Sequence, residues 1–441
     1  MSRSSLWTFL DCENLDKTRA YLERSKSSPL EMRIWTGGTK ARYDAFLLTI
    51  PHINRLKILS IAGFDKDILK FTDQLCSPAP LLEELEVRVE RDAIRLKPTL
   101  FAETLPSLCA LRLTGTLSFV PWKNLGNLTT LNIRSGGYHT ASVTELLDIF
   151  ERAPLLYEVK LLQILPWPPG SDVPDGRVVS LPCLQSLRIF DEVTPPTLLN
   201  HLHIPTGALL TLESWIKHQS PSIPDYLPRS LDNLDNISNI ISIDLDFRGG
   251  VTLRLKASRG GVYVMGAWKG SDPYPVGHHY TLRSLSTLPI SSTGRFVIAK
   301  YLASGRPNTE RTVAYQTLLR MENLRTPTLA CCTNRPFILA LNPGQNTSNT
   351  VVCPELEELI LFVLRDEDEL CVDELLEMVE GRSSRGAKLP TIVIVNWEGR
   401  VSPKEALRLG GCASHVEYKL FHTTPIWNVL PGETKVELFD W

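Results

Sequence analysis

Five bases, Arg88, Arg112, Arg134, Lys160 and Arg188, fall on five successive copies of one short apolar phrase. Rows of this kind suit carboxylate and phosphate, because a guanidinium presents a rigid fork of donors. The other residues able to do chemistry are scattered. His278-His279 has no cysteine or carboxylate cluster at ligand spacing, which favours a histidine pair in a loop over a metal site. Cys331-Cys332 lacks the two-residue spacer of a zinc or redox knuckle. Gly37-Gly38-Thr39-Lys40 matches only the end of a phosphate loop. Gly381–Gly386 holds serines without a nucleophile elbow, and Asp366–Glu369 reads as a solvated turn. The expectation is a binding protein without catalysis, metal or cofactor.

The phrase that carries the bases is Leu-x-x-Leu-x-Leu, clearest at Pro354–Leu361 (PELEELIL). It recurs at Ile53/Leu56/Ile58, Leu82/Leu85/Val87, Leu108/Leu111/Leu113, Leu128/Leu131/Ile133, Leu156/Val159/Leu161 and Leu184/Leu187/Ile189. Further copies start at Leu199, Leu356 and Leu389, and a proline often stands two residues ahead, as at Pro51, Pro80, Pro106, Pro154, Pro182 and Pro354. Spacings of 29, 26, 20, 28 and 28 residues separate the first six copies, the period of leucine-rich repeats. A chain of 441 residues exceeds one compact core, a limit that a stack of repeats escapes by growing lengthwise.

Helical periodicity fills the gaps. Tyr43/Phe46/Leu47/Ile50, Val143/Leu146/Leu147/Phe150 and Val372/Leu375/Leu376/Val379 each stand at i, i+3, i+4, i+7. Ser142 with Glu145, and Ser402 with Glu405, have capping-box spacing. The fold class that follows is α/β, an irregular leucine-rich-repeat solenoid with a curved parallel sheet inside and helices outside. Alternation at Ile241–Phe247, Val251–Leu255 and Val262/Val264 around two Gly-Gly pairs predicts an antiparallel β-hairpin insert, preceded by a polar helix within 225–238 and followed by a loop over 268–285. The expected divisions are an N-terminal arc at 1–235, the insert and loop at 236–285, and a C-terminal arc and tail at 286–441. Pro327 occupies an apolar position of a strand and should weaken it, having no N–H to give.

Residues between the leucines should line the concave face. They include Lys57, Arg88, Arg112, Arg134, Lys160 and Arg188, with Phe190, Ile360 and Phe362 as apolar additions; the tail 415–441 is a candidate cover for the apolar end. Two readings stay open for the bases: a ladder of compensated charges, or a groove for an acidic or phosphorylated protein partner.

Composition narrows the setting. A net charge of −2 gives no general pull toward nucleic acid or membrane, and no apolar run is long enough to span a bilayer. Nine cysteines without paired spacing and an N-terminus unlike a signal peptide point to the cytoplasm or nucleus. The sequons at Asn127, Asn236 and Asn346 would then be unused.

Three stretches also carry a resemblance. LWTFLDCENLDKTRAYLERSKSSPLEMRI (6–34), NRPFILALNPGQNTSNTVVCPELEELILFV (334–363) and VDELLEMVEGRSSRGAKLPTIVIV (372–395) resemble F-box-like leucine-rich-repeat proteins of mushroom-forming fungi. The resemblance implies the substrate-recognition arm of an SCF-type (cullin–RING) ubiquitin ligase receptor. In that family an F-box ahead of the block at 6–34 docks a Skp-type adaptor. The five residues before Leu6 are too few for one, so adaptor docking is expected only if an F-box lies upstream. The alternative is a ligase-independent scaffold using the same face.

Overall fold

The computed structural model describes residues 4–37, 40–90, 94, 96–97, 99–115, 122, 124–134, 142–164, 176–191, 196–216, 226–228, 230–247, 250–268, 278–299, 307–330, 334–345, 350–363, 372–396 and 403–419. In chain order the strands are β1 (Phe9–Leu10), β2 (Leu30–Trp35), β3 (Leu56–Gly63), β4 (Glu84–Val89), β5 (Ala110–Thr114), β6 (Thr130–Arg134), β7 (Glu158–Leu162), β8 (Val179–Ser180), β9 (Ser186–Asp191), β10 (Leu202–His203) and β11 (Leu209–Ile216). They continue as β12 (Ile240–Asp246), β13 (Gly250–Ala257), β14 (Gly261–Trp268), β15 (Arg295–Ala299), β16 (Thr326–Ala330), β17 (Glu358–Val363), β18 (Thr391–Asn396) and β19 (His415–Lys419). The class is α/β with extensive parallel pairing, and two compact units divide the chain: Met1–Ile240 with Gly249–Pro273, and Ile241–Arg248 with Tyr274–Trp441. Among the described residues no helix is long and apolar enough to cross a membrane.

In the first unit the strands pair in parallel in the order β1, β2, β3, β4, β5, β6, β7, β9, β11, β14. The leucine phrase explains the register. Leu59, Leu85, Leu111, Leu131, Val159, Leu187 and Leu210 are partners across neighbouring strands, and none is more than 1 % exposed. Ile61, Val87, Leu113, Ile133, Leu161, Ile189 and Leu212 form the second buried column. Each buried aliphatic side chain contributes roughly 1.5–3 kcal/mol, so a register slip of one residue would expose a whole column.

The recurrent proline has a turn to make. Leu82, Leu108, Leu156 and Leu184 donate their N–H groups to the carbonyls of Ala79, Leu105, Ala153 and Leu181, three residues back. Pro80, Pro106, Pro154 and Pro182 thus stand second in four-residue turns, where their fixed φ is already correct. Successive turns also bond to each other: Ser107 Oγ donates to Pro80 O at 2.6 Å, and Asn127 Nδ2 to Pro106 O at 2.7 Å.

Helices return the chain between strands. Val143–Arg152 buries Val143, Leu146, Leu147 and Phe150, and its expected capping box is present: Glu145 N–H donates to Ser142 Oγ, and Ser142 N–H to Glu145 Oε2. Lys40–Leu47 and Val372–Ser383 fill two other predicted places. Pro403 opens the helix Pro403–Cys412, while Ser402 and the Glu405 side chain lie outside the described residues.

Arginines one repeat apart from their acceptors tie the turns together. Arg55 Nη2 donates to Ser28 O at 2.8 Å and Ser25 Oγ at 2.9 Å, and Arg152 Nη1 to Trp122 O at 2.7 Å. In the second unit the fully buried Arg382 donates to Val352 O at 2.6 Å and Cys353 O at 2.7 Å. Burial lowers the pKa of all three guanidiniums. They lie 27 to 30 residues beyond their acceptors, about one repeat. Sequence reading missed them, though an arginine at that spacing is a usable signal.

The second unit pairs β12, β15, β16, β17, β18 and β19, all parallel. Ile243, Phe296, Leu329, Leu361 and Ile394 are buried on its apolar columns. Pro327 sits inside β16, opposite Phe296, and pairing toward β17 begins only after it, at Thr328. That truncated ladder is the weakness expected of a residue without an N–H.

Several expectations change. The first copy of the phrase is Leu56/Leu59/Ile61, three residues on from the predicted Ile53/Leu56/Ile58, because Ile53 belongs to a 3-10 turn, Ile50–Arg55, started by Pro51. The phrase at Leu199 supplies the separate small sheet β8–β10, and the next rung of the main ladder is β11. The alternating run at Ile241–Phe247 forms β12, which also pairs in parallel with β15, a pairing that a hairpin insert alone does not provide. The predicted antiparallel pairing is present between β13 and β14, and β14 itself joins β11 in parallel. Ser242, Asp244 and Asp246 are buried along with Ile243 and Leu245, so both faces of β12 are covered. The helix expected within 225–238 is a 3-10 turn, Asp235–Ile237, and the loop expected over 268–285 contains the helix His278–Leu285.

Candidate functional site

The first unit presents one face of its sheet to solvent. Three rows of side chains cross it, set by the strand registers. The entry row holds Glu31, Ile58, Glu84, Ala110, Thr130, Glu158 and Ser186. The middle row holds Arg33, Ser60, Glu86, Arg112, Asn132, Lys160 and Arg188. The exit row holds Trp35, Ala62, Arg88, Thr114, Arg134, Leu162 and Phe190. Neighbours in a row stand about 4.8 Å apart.

Three of the five predicted bases are met by carboxylates at 3.3 Å or less, and Arg88 has one longer ion pair. Arg112 reaches Glu84 at 3.3 Å, Lys160 reaches Glu158 at 2.7 Å and Arg188 reaches Glu213 at 2.8 Å. Arg33 likewise reaches Glu31 at 2.8 Å, and Ser60 Oγ donates to Glu86 Oε2 at 2.8 Å. Arg88 lies 3.7 Å from Glu90, beyond hydrogen-bond length, with its guanidinium 6.0 Å from the Trp35 ring centre. Arg134 is exposed and has no ion pair among the described residues. The middle row is therefore a compensated ladder, in which exposed pairs of this kind are worth about 0–1 kcal/mol each.

Lys57 does not join these rows. It stands at the strand entrance and pairs with Glu83 at 3.2 Å, and Ser60 takes the expected place. Phe190 is buried rather than presented. In the second unit Ile360 is half-buried and Phe362, Val393 and Val395 are buried, so this predicted apolar patch is no free surface. Of the tail proposed as its cover, His415–Lys419 is β19 and residues 420–441 lie outside the described residues.

An aromatic corner was missed. Phe9 (45 % exposed) and Trp35 (38 % exposed) lie beneath Arg33 and Arg88, with Phe64 also exposed. The alternation of LEMRIW places Trp35 outward, a signal that the leucine count passes over.

Elsewhere, His203 bridges Ser180 (Oγ to Nδ1, 3.3 Å) and Asp235 (Nε2 to Oδ2, 3.1 Å) on the small sheet. His203 and Asp235 are about two-fifths exposed, so water competes for both links, and the three act as a cross-strand contact. Among the described residues no group of three or more His, Cys, Asp or Glu side chains could hold a metal. The His278 and His279 side chains, Cys331-Cys332, Gly38-Thr39 and Asp366–Glu369 lie outside the described residues. The sequon residue Asn236 is fully buried, donating to Gly261 O at 2.9 Å, and cannot carry a glycan in this fold.

Thiol chemistry follows burial. Cys12 and Cys353 are buried, and loss of water pushes both thiols up to about 12, whereas Cys76, Cys109 and Cys183 are exposed. Iodoacetamide at pH 8 is expected to label the exposed three within minutes and the buried two only after unfolding, read by peptide mass spectrometry.

Set beside known proteins, the chain matches no family model, no curated protein and no solved structure at a significant level.

Proposed function

We propose that the chain is a non-enzymatic protein–protein interaction module, a leucine-rich-repeat solenoid that holds a protein partner on the exposed sheet face of its first unit. The observation that carries this reading is the three-row face itself. Buried leucines on one side of β2–β9 hold charged, polar and aromatic side chains in fixed register on the other. A rigid face with an aromatic anchor such as Trp35 has the composition of a binding surface. The fungal resemblance further supports the substrate-recognition arm of a cullin–RING ubiquitin ligase receptor, acting in the cytoplasm or nucleus.

The test is affinity capture followed by mass spectrometry, with the double variant Trp35→Ala, Lys160→Glu as control. Loss of an anchor and a charge should weaken capture of a genuine partner about tenfold or more, with unfolding temperature unchanged. Equal capture by both chains would refute the reading. A Skp-type adaptor and a cullin among the captured proteins would select the ligase arm, and face-dependent capture without them the scaffold.

A further inference from the structure

Charge compensation on the face is uneven, and the imbalance has a place. In the middle row Arg33, Arg112, Lys160 and Arg188 each meet a carboxylate within 3.3 Å. The exit row is different. From β2 to β7 it reads Trp35, Ala62, Arg88, Thr114, Arg134 and Leu162, with two arginines and no acid. Among the described residues Arg88 has one ion pair, with Glu90 at 3.7 Å, and Arg134 has none.

Resting on the protein-binding reading above, we propose that Arg88 and Arg134 grip a phosphorylated serine or threonine side chain of the protein partner, seated over Thr114. Arg88 pairs across the ladder with Thr114, and Thr114 with Arg134, so the two arginines start two strands apart. That separation is about 9.6 Å between backbones; the Arg88 guanidinium, which lies 6.0 Å from the Trp35 ring centre on the β2 side, turns toward β5 for the two side chains to meet one tetrahedral anion. The Thr114 hydroxyl lies between them as a further donor. Guanidinium forks match phosphoryl oxygens, and a phosphoryl group carries about −1.5 to −2 charge at neutral pH, which two arginines neutralise and a single carboxylate does not require.

One further feature suits a peptide partner. Trp35 beside Arg88 and Leu162 beside Arg134 flank the row with apolar surface, suited to residues on either side of the phosphorylated one. Arg112, although central, is already engaged by Glu84 and is the internal control.

The experiment immobilises the full chain and applies a degenerate peptide library containing phosphoserine or phosphothreonine, in parallel with the same library after phosphatase treatment. Retention of phosphorylated peptides only is expected. R88Q with R134Q should weaken that retention about tenfold or more, and R112Q should change it less than about threefold. Equal retention before and after phosphatase, retention indifferent to Arg88 and Arg134, or no retention of either library would overturn the proposal. Those results leave the protein-binding reading intact, because it is judged separately by capture that depends on Trp35 and Lys160.

Discussion

Leu131→Asp is expected to prevent the chain from folding, while Asn132→Asp, one residue away, leaves it as stable as the wild type. Leu131 is fully buried between Leu111 and Val159 in the column that runs through the first unit. A carboxylate there has no partner and would be either ionised in an apolar layer or protonated at a large cost. The cost exceeds about 4–5 kcal/mol, a substantial share of the stability of an ordinary domain. Asn132 faces the solvent rows, where Asp exchanges one polar surface group for another, within about 0.5 kcal/mol. Circular dichroism and urea unfolding of the two variants check both halves. A stable Leu131→Asp chain would mean that the leucine columns are not the core.

Arg382→Ala is expected to destabilise the second unit by about 3–5 kcal/mol. The side chain is fully buried and two of its nitrogens serve Val352 O and Cys353 O. Truncation leaves Val352 O without its donor, at roughly 1–3 kcal/mol, removes one of two donors from Cys353 O, which keeps the Leu356 N–H at 3.3 Å, and adds a cavity term. Arg382→Lys should recover only part of the loss, because one ammonium on a flexible stem cannot span two carbonyls as a planar fork does. Cys353 provides an internal readout. Its thiol is buried with Arg382 beside it, so Arg382→Ala should raise its alkylation rate under native conditions through more frequent local opening. An unchanged urea midpoint for Arg382→Ala would show that water replaces the guanidinium at little cost.

Both predictions rest on features of different legibility. The leucine columns could be read from spacing alone, since burying three aliphatic side chains per repeat overrides most local preferences and recurs at a visible period. The prolines ahead of them were visible too, but their purpose as second residues of turns that launch each strand became clear only from the Leu-to-Ala79-type hydrogen bonds. Arg88, Arg112, Arg134, Lys160 and Arg188 were placed on the correct side of their strands by simple alternation. Lys57 was not, because Ile53 and Leu56 mimic the phrase while Pro51 diverts the chain into a 3-10 turn.

What the amino-acid sequence determined by itself was the repeating element and the outward face, because both follow from which side chains leave water. Only the tertiary structure decided which bases are spent on carboxylates, since Glu84 and Glu213 reach their arginines from neighbouring strands about 25 to 28 residues away. It also decided that β12 enters a parallel ladder and that Phe190, Phe362 and Val395 are covered. Pairing and covering are relations between distant segments. Local periodicity carries no information about them where both faces of a strand are buried.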